Sequence, residues 1–414
     1  MLTESRFKFA LECLKQCLLI EPRSNVFFSP SLIYEHLLTV CILCNTYNVP
    51  SGDRIENSLK KILYIPENIT KMIVQKYYLD TIEKFNYWIM DSTGSYKYGI
   101  NNVIWIENKL IARKRSYFKR HYRLSLSGLF WFKYQKLRKV RFDNSRYSTD
   151  RRDDVNTFIK DTTGYLIENL LPPNSIHDKT NLVMANVAYL KAKINCEFDP
   201  NVGHSSKNVE GTNLQLNANI TQLRLKDDRI SILFLTPILS ESEKDNIILT
   251  NDRIVQMIEQ LMTEEGYRYL RQILDHGESQ QISNTFPTFK IVQDLRMYDL
   301  LKILDVEELT PLGAANLNPM TYLGAVRFGD AMHRVNVDIT ENSVIATASN
   351  VLFTHNSSRH ERINTVDCSN SCVCFIYDKH NSNILFCGVL FKAENQQQCD
   401  AAGTSECCSG QERL

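Results

Sequence analysis

The chain has 414 residues, with 48 Lys and Arg balanced against 47 Asp and Glu, and 43% of its residues are apolar. A chain of this size buries roughly three quarters of its unfolded surface on folding, so collagen-like and disordered classes are excluded. Its 15 glycines never lie closer than five residues apart, which excludes a G-x-G-x-x-G nucleotide loop. Walker A, nucleophile-elbow and H-E-x-x-H motifs are also absent from the sequence.

The N-terminal segment is predicted to be the first helix of the protein rather than a signal peptide, because Met1–Ile20 carries charged residues at helical spacing. Further helices are predicted at 30–46, 53–64, 68–90, 112–123 and 151–170. His36–Gly52, a long run without a formally charged side chain, is only about half apolar, so no membrane span is expected.

Strands dominate the later part of the chain. They are predicted at 100–106, 137–142, 181–190, 230–235, 281–291, 325–340, 372–378 and 383–391. Segment 181–190 is nearly all apolar, which is typical of a strand buried on both faces of a sheet. Early helices and late strands without a βαβ rhythm indicate an α+β fold. We predict one domain over residues 1–393 and a polar, Cys-containing, disordered tail over 394–414.

The twelve cysteines are predicted to act as small buried hydrophobic residues. The pair Cys41-x-x-Cys44 has no second CxxC motif or nearby His pair, so neither a metal site nor a redox site is predicted and no cofactor is expected. The cysteines at apolar positions of predicted helices and strands are Cys13, Cys17, Cys41, Cys44, Cys372, Cys374 and Cys387.

Seven segments carry a family resemblance. They are NVFFSP (25–30), VNTFIKDTTGYLIENLLPPNSI (155–176), LVMANVAYLKAKINCEFDP (182–200), FPTFKI (286–291), GAANLNPM (313–320), HRVNVDITEN (333–342) and NSNILFCGVL (381–390). In this order they resemble the serpin family of serine protease inhibitors and their non-inhibitory relatives, over roughly residues 5–393. The resemblance implies about eight or nine helices around three β-sheets, with an exposed reactive-centre loop.

The resemblance also implies a mechanism in which the protein is an inhibitor and not an enzyme. A serine protease cuts the loop, and the N-terminal part of the loop then inserts as a new central strand of a large sheet. Every second residue of such a strand must be small and uncharged enough to bury. The loop hinge implied by the family comprises Glu341, Asn342, Ser343, Val344, Ala346 and Ala348, and the inward positions are Val344, Ala346, Ala348 and Asn350.

Three residues of this segment depart from the family pattern or complicate insertion. Ser343 stands where the family usually has Gly, and Val344 where it has Thr or Ser, so both restrict the backbone at the hinge. Asn350 would need a hydrogen-bond partner once buried. These residues support a second hypothesis, in which the protein is a non-inhibitory serpin that acts as a carrier, chaperone or polyanion-binding protein.

The cleavage site is bracketed by spacing from two landmarks. Counting forward from Glu341 and backward from the strand 372–378 places the cut within residues 357–361. A trypsin-like protease requires a basic side chain in its acidic specificity pocket. We therefore predict Arg359–His360 as the reactive bond and Arg362–Ile363 as the second choice. With the cut after Arg359, the segment that links the inserted strand to the protease is two residues longer than is usual in the family. This slack predicts that some of the inhibitor is turned over as a substrate.

The gate of the central sheet is implied by the same resemblance. Asn186 and His333 match the polar gate pair of the family. Leu32 stands where that gate usually has Ser, Ala192 where the next strand has Gly, and Ile194 where a Trp is usual. These three departures are expected to weaken the polar lock.

A basic stretch covers residues 97–141, which contain thirteen Lys and Arg and one acidic residue, Glu107. Such a density attracts polyanions by counterion release, so a heparin-like polyanion is an expected partner. The alternative is that these basic residues form a solvent-exposed face whose positive charge is balanced by acidic residues elsewhere in the chain. The candidate binding residues are Arg113, Lys114, Arg115, Lys119, Arg120 and Arg123.

The expected partner is thus a trypsin-like serine protease, and the protein is expected to be a monomer. Two compartments stay open: the extracellular space by family habit, or the cytoplasm because no signal peptide is evident.

Overall fold

The structure of the chain is a computed structural model. It describes residues 2–21, 24–43, 57–70, 73–74, 76–78, 89–90, 96–108, 136–194, 217–225, 229–239, 247–276, 286–306, 328–354, 363–368 and 371–391. The predicted tail, 394–414, lies outside these residues. Within them, no helix combines the length and apolar character needed to cross a bilayer.

The helices with defined bounds are interspersed with strands along the chain. They are α1 (Thr3–Ile20), α2 (Pro30–Leu43), α3 (Ser145–Thr162), α4 (Ile247–Leu261), α5 (Glu264–His276) and α6 (Met297–Ile303). Helix α3 begins at an Asn144 cap whose side chain accepts a hydrogen bond from the Tyr147 N–H. It ends well before the prolines at 172–173, because Gly164 and Tyr165 adopt positive φ angles of 63° and 67° and close the last turn. The predicted end at residue 170 was therefore wrong.

The strands are assembled into two sheets among the described residues. In chain order they are β1 (Val26–Phe28), β2 (Ile89–Met90), β3 (Tyr96–Glu107), β4 (Lys136–Val140), β5 (Leu182–Lys193), β6 (Ala218–Arg224), β7 (Ile230–Pro237), β8 (Phe289–Leu295), β9 (Phe328–Ile339), β10 (Ser343–Thr354), β11 (Asn364–Cys368), β12 (Cys372–Asp378) and β13 (Asn383–Leu390). The α+β class is confirmed. The third sheet implied by the family resemblance is not among the described residues.

The smaller sheet has five strands in the order β1-β13-β12-β7-β6, all antiparallel. The larger sheet has eight strands. Its main order is β11-β8-β9-β10-β5-β3-β2, and β4 pairs in parallel with β3. Strand β2 lies where the sequence predicted the end of a helix, so that boundary was wrong. Strand β8 starts two residues after Pro287, because proline cannot donate to a strand ladder.

Two hydrophobic cores cover the two faces of the larger sheet. The main core includes inward residues of both sheets together with apolar residues of α1 and α2. The second core lies between the larger sheet and α3, where Val155 and Ile159 pack with Trp105 and Phe353. A strand at the centre of the larger sheet is therefore buried from both sides at the level of α3.

Candidate functional site

The hinge expected at Glu341–Ser343 forms a tight hairpin between β9 and β10. The Thr340 N–H donates to the Ser343 carbonyl at 2.9 Å, and the Ser343 N–H donates to Thr340 Oγ1 at 3.2 Å. Ser343 is not among the described residues with positive φ. The arrangement seen here therefore does not require the glycine that the family usually has at this position.

The segment expected to be an exposed loop is instead a central strand in this structure. Ser343–Phe353 pairs antiparallel with β5 on one edge, and Val344–Thr354 pairs antiparallel with β9 on the other. At its far end, Thr354 Oγ1 accepts hydrogen bonds from the N–H groups of Asn181 and Leu182. Strand β10 is therefore inserted in the larger sheet, and the chain runs continuously from β9 through the hairpin into β10.

The inward side of β10 consists of residues that fit a dry sheet face. Val344, Ala346 and Ala348 are each 0% exposed, and Asn350 is 2% exposed. Ala346 lies between Leu190 of β5 and Val337 of β9, so a small side chain stands between two larger ones. Val344, Ala346 and Ala348 are part of the main core, and Asn350 is not.

The outward side of β10 changes along the strand. Val351 and Phe353 are buried against α3 in the second core, whereas Ile345 is only half-buried. Ile345 pairs with Lys191 of β5 and with Asp338 of β9, so charged residues flank it in the sheet. The hinge end of the strand is therefore the part of the outer face that is open to solvent.

A row of polar side chains crosses four strands at the level of the expected gate. Asn102 of β3 lies opposite Asn186 of β5, which lies opposite Asn350 of β10, which lies opposite His333 of β9. The structure therefore places the predicted gate pair, Asn186 and His333, on opposite sides of the inserted strand. Asn350 completes the row.

Asn186 is fixed by hydrogen bonds to α2. Its Nδ2 donates to the Leu32 carbonyl at 3.0 Å, and its Oδ1 lies 2.9 Å from His36 Nδ1. Because the amide oxygen can only accept, the Nδ1 atom of His36 carries the proton. Leu32 therefore replaces the usual Ser of the gate through its backbone carbonyl, while its side chain is buried in the core.

His333 is held by the residue that directly precedes α2. Its Nε2 accepts a hydrogen bond from the Ser29 N–H at 3.1 Å, so the proton is on Nδ1. Burial lowers the pKa of His333 to about 3, with a further contribution from His36. Burial also lowers the pKa of His36 to about 4, against a smaller opposing effect of its bond to Asn186. Both rings are neutral at pH 7.

His36 was missed by sequence reasoning. The signal for it was a polar Glu35-His36 pair inside the otherwise apolar helix PSLIYEHLLTVCIL. The Glu35 carboxylate pairs with the Arg6 guanidinium of α1, which leaves His36 as the side chain that turns toward the sheet. The two other departures, Ala192 and Ile194, lie at the hinge end, where the Ile194 N–H donates to the Asn342 carbonyl at 3.0 Å.

Beyond β10, the chain returns to the edge of the sheet at Ile363. The Asp294 N–H donates to the Ile363 carbonyl at 2.8 Å, and the Ile363 N–H donates to Asp294 Oδ2 at 3.1 Å. Strand β11 then pairs with β8. The second-choice bond, Arg362–Ile363, therefore ends at a residue whose backbone is anchored.

Several predicted site residues lie outside the described residues. These are the reactive-bond residues Arg359, His360 and Arg362, and the polyanion candidates Arg113, Lys114, Arg115, Lys119, Arg120 and Arg123. Among the residues that the structure does describe, no group of three or more His, Cys, Asp or Glu is arranged to hold a metal ion.

Comparison with known proteins gives consistent matches over almost the whole chain. A family model described as serpin (serine protease inhibitor) matches residues 4–393. Serine protease inhibitor 88Ea of Drosophila melanogaster is 25% identical, covering 92% of this chain and 88% of that protein. Macrophage plasminogen activator inhibitor 2 of Mus musculus is 24% identical, covering 92% of this chain and 96% of that protein.

Solved structures show the same fold at lower sequence identity. A cleaved, loop-inserted ovalbumin mutant has a TM-score of 0.66 at 14% identity, covering 95% of this chain and 100% of that one. Thyroxine-binding globulin in complex with thyroxine has a TM-score of 0.61 at 17% identity, covering 94% and 98%.

Proposed function

Because the chain belongs to the serpin family, we propose that it inhibits a serine protease as a suicide substrate, through loop cleavage and insertion of β10. The observation that carries the proposal is the pairing of β10 with β5 and β9 along its length. Serpins as a family are protease inhibitors and not catalysts, so no residue is assigned a catalytic role.

Insertion is driven by burial of the strand. Val344, Val351 and Phe353 are all 0% exposed in the inserted arrangement. Burial of each such side chain contributes about 1.5–3 kcal/mol relative to an exposed loop. The alanines at 346 and 348 let the strand enter between β5 and β9 without displacing larger neighbours. A loop that gains this burial only after cleavage can pull an attached protease with it.

The target class follows from the arginines after β10. A protease with an acidic specificity pocket cuts after Arg359, which makes Arg359–His360 the proposed reactive bond. Arg362–Ile363 is the second candidate. The two hydrogen bonds between Ile363 and Asp294 favour the first bond, since the anchored end offers less freedom to fit a protease cleft.

The test uses trypsin as the probe protease at equimolar ratio. The wild-type chain is expected to form an SDS-resistant 1:1 complex and to release a C-terminal fragment that begins at His360. Arg359→Ala is expected to lose the complex, and Arg362→Ala, the matched control, to retain it. A cut at Arg359 that yields only cleaved protein, with no complex, would contradict inhibition while leaving the cleavage site correct.

The second candidate is a non-inhibitory serpin that acts as a carrier, chaperone or polyanion-binding protein. The observation that favours it is Asn350, whose buried Oδ1 has no hydrogen-bond partner among the described residues. Such an atom lowers the free energy gained by insertion. Thyroxine-binding globulin, a structural neighbour, is known in complex with thyroxine. This candidate predicts cleavage of the loop without a protease complex.

Polyanion binding is proposed at the basic residues of 113–123, for a monomeric protein. Replacing Arg113, Lys114 and Arg115 by Ala is expected to lower the salt concentration at which the chain elutes from a heparin column. Elution of the wild type below physiological salt would contradict the proposal.

A further inference from the structure

Two buried histidines lie beneath the middle of β10. His333 is directly opposite Asn350 in the sheet, and His36 contacts Asn186 on the other side of the strand. We propose that His36 and His333 form an acid-sensitive latch, which holds β10 in the sheet at neutral pH and releases it when the rings are protonated. The inference rests on the proposed function in one respect: β10 must be able to leave the sheet.

The polar atoms of the latch are only partly paired. His36 Nε2, His333 Nδ1 and Asn350 Oδ1 are buried and have no hydrogen-bond partner among the described residues. Residues directly opposite each other in antiparallel strands have Cβ atoms about 4.5–5.5 Å apart. His333 and Asn350 are directly opposite each other only in the inserted register, and no hydrogen bond joins the unused donor of one to the unused acceptor of the other.

The second proton of His36 would enter a site without negative charge. His36 lines a small cavity together with Thr39, Asn102 and Asn186. Thr39 Oγ1 is paired with the Tyr78 hydroxyl, and Asn102 presents a buried Oδ1 that has no partner among the described residues. Neutral oxygens can accept a hydrogen bond from an imidazolium but do not compensate its charge.

Charged side chains on the surrounding elements form ion pairs with one another. On α2, Glu35 is paired with Arg6 of α1. On β9, Arg334 is paired with Asp294 of β8. Burial is the main influence on both rings, and the charged group that acts on His333 is His36 itself. No carboxylate is among the influences on either ring, so protonation creates two like charges under β10.

The direction of the pH effect follows from these shifts. In the inserted state the pKa of His36 is lowered to about 4 and that of His333 to about 3. A gap left by β10 would admit water and return both toward the ordinary value of about 6.5. The open state then binds more protons, so the inserted state is fully favoured above pH 6.5 and loses its advantage progressively as pH falls toward 4.

The test measures hydrogen exchange of β10 amides in the full chain, incubated at pH 7.5 until their protection is constant. Protection is compared at pH 7.5 and 5.0 after correction for the intrinsic exchange rate. The variant is His36→Asn with His333→Gln, because Asn places a donor near the former Nδ1 and Gln an acceptor near the former Nε2. His380→Gln, at an exposed position, is the matched control.

In the wild type and the control, protection factors of β10 are expected to fall at least about tenfold at pH 5.0, while those of β12 stay constant. In the double variant, β10 protection is expected to be the same at both pH values. Equal loss in wild type and double variant, or no loss in the wild type, would overturn the latch. If β10 of the uncut chain never gains protection at pH 7.5, the latch is overturned, because the two histidines do not hold the strand in the sheet. That outcome leaves the proposed function standing, since insertion there follows cleavage of the loop.

Discussion

Asp294 of β8 and Arg334 of β9 form a bidentate ion pair, with Nε and Nη2 of Arg334 at 2.6 and 2.8 Å from the two carboxylate oxygens. The same carboxylate accepts the Ile363 N–H, and Arg334 Nη1 donates to the Glu168 carbonyl. One ion pair therefore connects the start of β11, two strands of the larger sheet and the segment after α3.

Asp294→Asn is expected to destabilise the inserted state. The side chains of Arg334 and Asp294 are 10% and 15% exposed, and removal of one charge from a buried pair leaves the other uncompensated. We expect a loss of about 2–4 kcal/mol in the free energy of unfolding, measured by urea denaturation. The control, Glu264→Gln, breaks an ion pair that is 67–73% exposed and is expected to cost under about 0.5 kcal/mol. Equal effects would contradict the role of the Asp294 pair.

A charge on the inward face of β10 is expected to convert the inhibitor into a substrate. Ala346 is fully buried between β5 and β9, so Ala346→Glu must bury an unpaired carboxylate at a cost of several kcal/mol. The yield of SDS-resistant complex with trypsin is expected to fall at least about tenfold.

Ile345→Glu is the matched control, since Ile345 is half-buried and pairs with Lys191 on one side, which offsets the repulsion from Asp338 on the other. It is expected to keep most of the complex. Loss of the complex in both variants would show that any charge near the hinge suffices, and that the inward position of residue 346 is not decisive.

Asn350→Val is expected to stabilise the inserted state. The variant removes an amide oxygen that is buried without a described partner, which is worth about 1–3 kcal/mol. Asn350→Asp places a charge at the same point and is expected to lower the free energy of unfolding. The free energy of unfolding of each variant is measured by urea denaturation at pH 7.5, on chain in which β10 is inserted. A loss of stability in Asn350→Val would show that Asn350 makes a favourable polar contact in the row.

The sequence predicted the strands well because their patterns are local. The apolar run 181–190 and the strand at 372–378 both lie where they were expected. Family membership was also predicted correctly from the ordered segments, and Cys13, Cys17, Cys372, Cys374 and Cys387 are buried as expected.

Other features could not be read from one-dimensional patterns. The pairing of Asn350 with His333 depends on the register of strands far apart in the chain, and His36 reaches Asn186 only because α2 packs beneath the sheet. The end of α3 is set by positive φ angles at Gly164 and Tyr165. Gly164 is a recognisable helix-end residue, whereas Tyr165 carries no turn signature in its residue type. The insertion of Ser343–Thr354 depends on its pairing with β5 and β9, which residue composition alone does not determine.

The most direct test is the melting temperature of freshly prepared chain before and after trypsin cuts the loop between residues 355 and 362. A protein that holds β10 outside the sheet until cleavage is expected to show a large rise in melting temperature, because the freed strand then buries its inward face. A chain that is cut completely in this segment and melts at the same temperature as before would contradict the account.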